Sequence, residues 1–262
     1  MTALDSMKTS VAADVNTASD LLTKLSHDIW DNPELAFEEE HAASVCIDAL
    51  SDAGFSITTG VSGLETAFIA EYGSGPLTVG ICSEMDALPG VGHACGHNMI
   101  AAAGVGAGIG LARIADEAGI TIRVLGTPAE EGGGGKIIML EDGAFDGLHL
   151  AMMVHPSPME SDVFPTLAST GCDYHFHGKS AHSSLAPHEG INAADAVTIA
   201  QVSIGVLRQH LRPGDQVHGI VTDGGDAPNI VPSHSTARYV VRAPTLGDLG
   251  SLRSRIDKCF EA

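Results

Sequence analysis

At 262 residues the chain is long enough for one large domain or two smaller ones with real cores, and 44% hydrophobic residues in runs between polar loops exclude a disordered chain. Thirteen Lys and Arg against 33 Asp and Glu give a net charge of −20, which argues against nucleic acid and anionic membrane surfaces as partners. The longest apolar stretch, 99–111, is too short to span a bilayer, and the first thirty residues lack a basic start followed by an apolar core, so a cytoplasmic protein is expected.

Along the chain, Ala18, Leu21, Leu22, Leu25 and Ile29 recur at helical spacing, and Asn32-Pro33 stops that helix. A second helix is predicted over 38–53, with Ala42, Val45, Cys46, Ala49, Leu50 and Ala53 as its apolar face and Gly54 as its stop. Strand signals follow at 55–59, 66–72 and 77–82. A long helix capped by Asn98 is predicted to run to about 117, and its small residues, from Ala101 to Gly110, suit close packing on a sheet. A strand over 120–125, a short helix over 136–142 and a strand over 150–154 come next. Strands alternating with helices predict an α/β sheet with helices on both faces.

The rhythm changes after Pro165. A strand over 167–177, a helix over 191–211, strands over 215–222 and 233–242, and a helix over 246–260 give the order β-α-β-β-α. That is a ferredoxin-like split βαβ unit without its last strand. The expected domains are residues 1–166 and 167–262.

In an α/β sheet, ligands gather beyond the carboxyl ends of strands. Three strand ends here open into polar loops marked by Gly or Pro. The first carries Asp86 and then Cys95-Gly96-His97. A thiol and an imidazole one residue apart can grip one metal ion, and Asp86 can take the second N–H of a ligating histidine. The second is Glu130-Glu131 before four glycines. Neighbours on an extended segment point to opposite sides, so one carboxylate can bind metal while the other reaches the water. The third is His155, after an apolar strand. Together they nominate Cys95, His97, Glu131 and His155 as metal ligands and Glu130 as the base, and the 13 histidines fit that chemistry. A Cys/His nucleophilic hydrolase using Cys95 and His97 is disfavoured, because residues two apart on a turn rarely reach attack geometry. The five cysteines are odd in number and irregularly spaced, which argues against a disulfide framework.

The motifs DIWDNPELAFEE (28–39), MDALPGVGHACGHN (85–98), PAEEGG (128–133) and GKSAHS (178–183) resemble the zinc aminoacylase and glutamate-carboxypeptidase family. The Cys-containing HACGHN loop is similar to its amidohydrolase branch, which includes indoleacetyl-amino-acid hydrolases, p-aminobenzoyl-glutamate hydrolase subunits and a β-alanyl dipeptidase-like group. The resemblance implies a metallopeptidase sheet with an inserted lid and dimerisation domain. It implies the same ligands and base, with Asp86 steadying the metal site. His182 is implied to reach the partner subunit's active site and polarise the scissile carbonyl, and Asn229 to contact substrate. Many sister enzymes carry a histidine two places before the aspartate, where this chain has Glu84.

The expected activity is hydrolysis of amide bonds in N-acyl amino acids, aryl-glutamates or small dipeptides by a water on two divalent ions. Zinc is the default, with manganese or cobalt possible. A homodimer formed through the lid is expected. Family members are longer, and supply a last metal-binding histidine after the lid. The alternative expectation is therefore a non-catalytic or degenerate dimerising protein of the same fold.

Overall fold

A run of mostly polar residues opens the computed structural model, which describes residues 2–162 and 166–261. This is helix α1 (Ala3–Thr17), fixed at its start by a reciprocal capping box between Thr2 and Asp5. It buries no residue of its own, which is why hydrophobic periodicity does not announce it. The chain clusters into two units, Met1–Glu160 and Ser161–Ala262. Pro165, where the sequence places the change of rhythm, lies outside the described residues.

In the first unit, α2 (Ser19–Asp31) and α3 (Glu40–Asp52) lead into strands β1 (Ser56–Thr59), β2 (Phe68–Tyr72) and β3 (Leu77–Glu84). Helix α4 (His97–Ala112), the short α5 (Ala115–Ala118), β4 (Ile120–Thr127), α6 (Gly135–Glu141) and β5 (Leu150–Met152) follow. The sheet order is β1-β2-β4-β3-β5, with β3 parallel to β4 and β5 and the β1 and β2 pairings antiparallel. A large apolar cluster on one face includes Leu25, Ile29, Leu50, Ile81, Val105, Ile122 and Val124. A smaller cluster with Leu125 and Met139 covers the other face, so helices pack on both sides.

Glycines let helix α4 lie close to the sheet on one side and to α2 on another. A Cβ at Gly108 would lie 2.6 Å from Val124 Cγ2, and one at Gly106 would lie 2.7 Å from Leu22 Cδ1. The predicted single helix to 117 is broken, because residues 113–114 turn before α5. Gly96, at φ 91°, occupies the N-cap position given to Asn98. Asn98 lies inside the first turn, where its amide donates to the Ser26 hydroxyl at 2.9 Å.

The second unit runs β6 (Ala168–His177), α7 (Ala193–Leu207), β7 (Gln216–Asp223), β8 (His234–Ala243) and α8 (Leu246–Glu261). The predicted helix to 211 ends in a separate 3-10 turn, Arg208–His210. The antiparallel order β6-β8-β7 is that of a ferredoxin-like unit. Val197, Ala200 and Ile204 of α7 and Leu252, Ile256 and Phe260 of α8 pack on the inner residues Cys172, Val217, Tyr239 and Val241. Tyr174 stacks on Phe260, with ring centroids 3.6 Å apart, and its hydroxyl donates to Asp257 at 2.6 Å.

Candidate metal centre

The strand register aligns the three loops. Ser83 pairs with Gly126 and Glu84 with Thr127, so β3 and β4 end level. Ile81 pairs with Met152 on β5, and His155 follows three residues on. Parallel strands ending together put all three loops at the same edge of the sheet.

His97, the first residue of α4, is the hub. It is fully buried, with 0% exposure. Its Nδ1 is 2.8 Å from the Asp86 carbonyl oxygen and 2.9 Å from Asp86 Oδ1. With acceptors on that side, Nδ1 carries the proton and Nε2 presents a lone pair in the neutral ring. Nε2 is 3.3 Å from Glu84 Oε2, 3.8 Å from Glu130 Oε2 and 3.9 Å from Glu131 Oε1. Neither His97 Nε2 nor Glu84 Oε2 has a hydrogen-bond partner among the described residues, although both are buried. Two groups of possible ligand atoms share His97, each within 4.8 Å: Cys95 with His155, and Glu84 with Glu130.

Cys95 Sγ lies 3.6 Å from His155 Nε2, and His155 Nδ1 is held 2.7 Å from the Pro156 carbonyl. Burial, with the carboxylates of Glu131, Glu130 and Glu84 beside it, pushes the Cys95 thiol up to about 12. Burial also works against an Asp86 charge, but hydrogen bonds from His97 and from the backbone N–H groups of Glu131 and Glu130 hold its pKa below the ordinary value. The His97 pKa stands above its ordinary value: burial opposes protonation, and the Asp86 hydrogen bond with the charges of Asp86, Glu84 and Glu131 outweighs it. Burial, and then the Glu84 charge, raise Glu130.

The two adjacent glutamates do not lie on an extended segment. Ala129 takes a left-handed φ of 57°, and residues 130–133 form a turn closed by the N–H groups of Gly133 and Gly134 on the Ala129 carbonyl, at 3.1 and 2.7 Å. The turn brings both carboxylates towards His97 instead of to opposite sides. Asp86 Oδ2 accepts the Glu131 N–H at 2.8 Å, so one carboxylate orients the imidazole and anchors the turn together.

Three residues at this site were not selected as site residues from the sequence. Glu84 is one, and Lys136, whose ammonium pairs with Glu84 Oε1, is another. The third, Glu39, is fully buried and accepts the Ala129 N–H at 2.8 Å, the Phe37 N–H at 3.0 Å and the Thr66 hydroxyl at 2.8 Å. The lysine directly after the glycine run was the available signal, but spacing alone does not name its partner.

His182 and Asn229 belong to the second unit. His182 is exposed, bridges to Ile230, and has Nδ1 3.2 Å from the Ser184 backbone nitrogen, which donates to it. The Asn229 carbonyl accepts the Ser183 N–H at 3.0 Å, which ties the two loops together.

The first unit thus holds a sulfur, two imidazoles and several carboxylates around buried, unsatisfied nitrogen and oxygen atoms. Such a set fits a divalent ion of borderline softness.

Residues 168–262 match the peptidase dimerisation domain family. The chain is 40% identical over 273 residues to the Xaa-Arg dipeptidase of Mus musculus, across 99% of this chain and 63% of the relative. It is 34% identical to a p-aminobenzoyl-glutamate hydrolase subunit of Escherichia coli (strain K12), across 91% of this chain and 54% of the relative. The chain therefore spans less than two thirds of the length of these relatives. A dinuclear metal-binding peptidase from the M20 family of Bacillus subtilis shares the fold, with a TM-score of 0.66 at 21% identity, over 94% of this chain and 70% of that one. No helix among the described residues is long and apolar enough to cross a membrane.

Proposed function

We propose that this chain, which belongs to the M20 peptidase family, forms the water-activating centre of a metal-dependent amidohydrolase acting on small dipeptides or acylated amino acids. The observation that carries this reading is the convergence on His97: Nδ1 held by Asp86, Nε2 facing three carboxylates, and Cys95 beside His155. Cys95, His97, Glu131 and His155 would hold two divalent ions, zinc by the character of the donors, with manganese or cobalt admissible. Bound there, the metal supplies Lewis acidity and lowers the pKa of a coordinated water towards neutrality.

The chain's own residues do the rest. Glu130 takes the proton of the attacking water and delivers it to the leaving amine. Asp86 fixes the His97 tautomer. His182 of one protomer would donate to the carbonyl oxygen in the other's site, where charge develops, and Asn229 would contact substrate. Among substrates we put dipeptides ending in arginine first, because the chain is 40% identical to an Xaa-Arg dipeptidase, with aryl-glutamates and N-acyl amino acids as the other classes. The acting protein is read as cytoplasmic.

Elemental analysis of desalted protein is expected to find zinc, manganese or cobalt, and Cys95→Ala to reduce it. Dipeptides ending in arginine are expected to be cleaved faster than p-aminobenzoyl-glutamate. A folded chain that takes up no divalent metal would overturn the reading.

A homodimer through the second unit is part of this proposal. On α7, Ile199, Val202 and Val206 are 58%, 63% and 58% exposed, and their spacing lines them along one face. An apolar helical stripe open to water fits burial against a second copy. Val202→Glu is expected to shift sedimentation from dimer to monomer without loss of helical circular dichroism. An unchanged dimer would place the interface elsewhere.

A further inference from the structure

Glu84 ends β3 with a side chain only 2% exposed. A carboxylate removed from water to that degree needs its oxygens satisfied. Oε1 is satisfied by the Lys136 ammonium. Oε2 has no hydrogen-bond partner among the described residues and faces His97 Nε2 at 3.3 Å, an atom equally buried and equally unpartnered. Asp86 accepts the hydrogen bond of the Nδ1 N–H, which leaves Nε2 of His97 and Oε2 of Glu84 facing each other across the site. Two lone-pair donors at that separation, with Glu130 completing a group within 4.8 Å, are arranged to meet a cation.

Lys136 explains the direction. It is the second residue of α6, which starts directly after the turn that carries Glu130 and Glu131. The same loop therefore delivers the two carboxylates and the ammonium that clamps Glu84. Held at Oε1, the Glu84 carboxylate is turned so that Oε2 points at His97.

We propose that Glu84 is a further metal ligand, binding through Oε2 the ion that His97 Nε2 binds, and that Lys136 is its positioning residue. This rests on the metal-centre reading above and adds to it an oxygen donor and the residue that aims it. Lys136 also offsets the charge of a site crowded with carboxylates, while leaving one Glu84 oxygen free to coordinate.

The test uses cobalt(II) as probe in chelator-stripped protein, with affinity measured by chelator competition and geometry read from the visible ligand-field bands. Glu84→Gln is expected to weaken cobalt binding by about 10–100-fold, the range typical of residues supporting a metal site. It is also expected to move the ligand-field bands while keeping the thiolate-to-cobalt charge-transfer band of Cys95. Lys136→Met is expected to weaken binding, and Lys136→Arg to restore part of it.

Because Glu84→Gln leaves the half-buried Lys136 ammonium without its counter-charge, the double variant Glu84→Gln/Lys136→Met serves as the second measurement. It removes both charges, and it is expected to retain the affinity loss and the band shift. Wild-type affinity and unchanged bands in the double variant would overturn the proposal and leave Glu84 as a structural partner of Lys136, with the metal centre itself intact. Absence of a thiolate-to-cobalt band in the unaltered chain would overturn the metal-centre reading and this proposal together.

Discussion

Glu130→Gln is expected to keep the bound metal and the fold, and to lower amide hydrolysis by roughly 10²–10⁴-fold, the usual contribution of a positioned general base. The amide is close in shape to the carboxylate and cannot take a proton. Glu130 is 42% exposed at the side chain, the more open of the two adjacent glutamates, so its loss disturbs little packing. Glu131 is 22% exposed, its backbone N–H is held by Asp86 at 2.8 Å, and its carboxylate lies beside Cys95. Glu131→Gln is therefore expected to lose metal first, and activity as a consequence. Metal content and turnover measured on the same preparations separate the cases. Equal metal loss in both variants would show that the roles are not divided between the two carboxylates as proposed.

The sheet was legible because β3 and β4 are largely buried and rich in apolar and β-branched residues, bounded by loops. The ferredoxin-like order was legible from alternation in β6 and β8 and from helical spacing in α7 and α8. Helix α1 was not, because it buries no residue fully and its Val11 and Val15 lie only against the glycine face of α4 at Gly110. The three loops at the strand ends were readable because each puts ligand-type residues after an apolar strand. Their convergence was not. It depends on Ala129, a residue type that gives no hint of left-handed backbone, and on contacts between residues far apart in sequence, Glu84 with Lys136 and Glu39 with Ala129. The motif at 28–39 flagged its residues only by resemblance. Glu34 in it caps α3, accepting the His41 and Ala42 N–H groups at 2.9 and 3.0 Å, and Glu39 anchors the turn of the metal centre.

That anchor leads to the second large effect. Ala129 holds a left-handed conformation that costs a non-glycine residue about 1 kcal/mol, so something must fix it. Glu39 does so: its Oε1 accepts the Ala129 and Phe37 N–H groups and its Oε2 the Thr66 hydroxyl, all at a fully buried position. Glu39→Ala would leave these donors without a partner, each at about 1–3 kcal/mol. A loss of roughly 3–5 kcal/mol is expected, a large part of the ~5–15 kcal/mol typical of a folded domain. Glu39→Gln keeps one oxygen for the two N–H groups, and the Thr66 hydroxyl can turn to accept from the new amide. It is expected to cost far less. The pH dependence gives a second handle. Burial, outweighing the hydrogen bonds it receives, holds the Glu39 pKa above its ordinary value. The unfolded chain therefore ionises first as pH rises. Stability that the carboxyl contributes is fully present below the unfolded pKa and is lost as pH rises through the raised folded one. The stability of the unaltered chain relative to Glu39→Gln should fall across that window and level off above it. Urea unfolding of metal-free protein at a series of pH values measures the difference, with other titrating groups cancelling between the two chains. A relative stability that rises across the same window would show that Glu39 is held as a favoured anion instead.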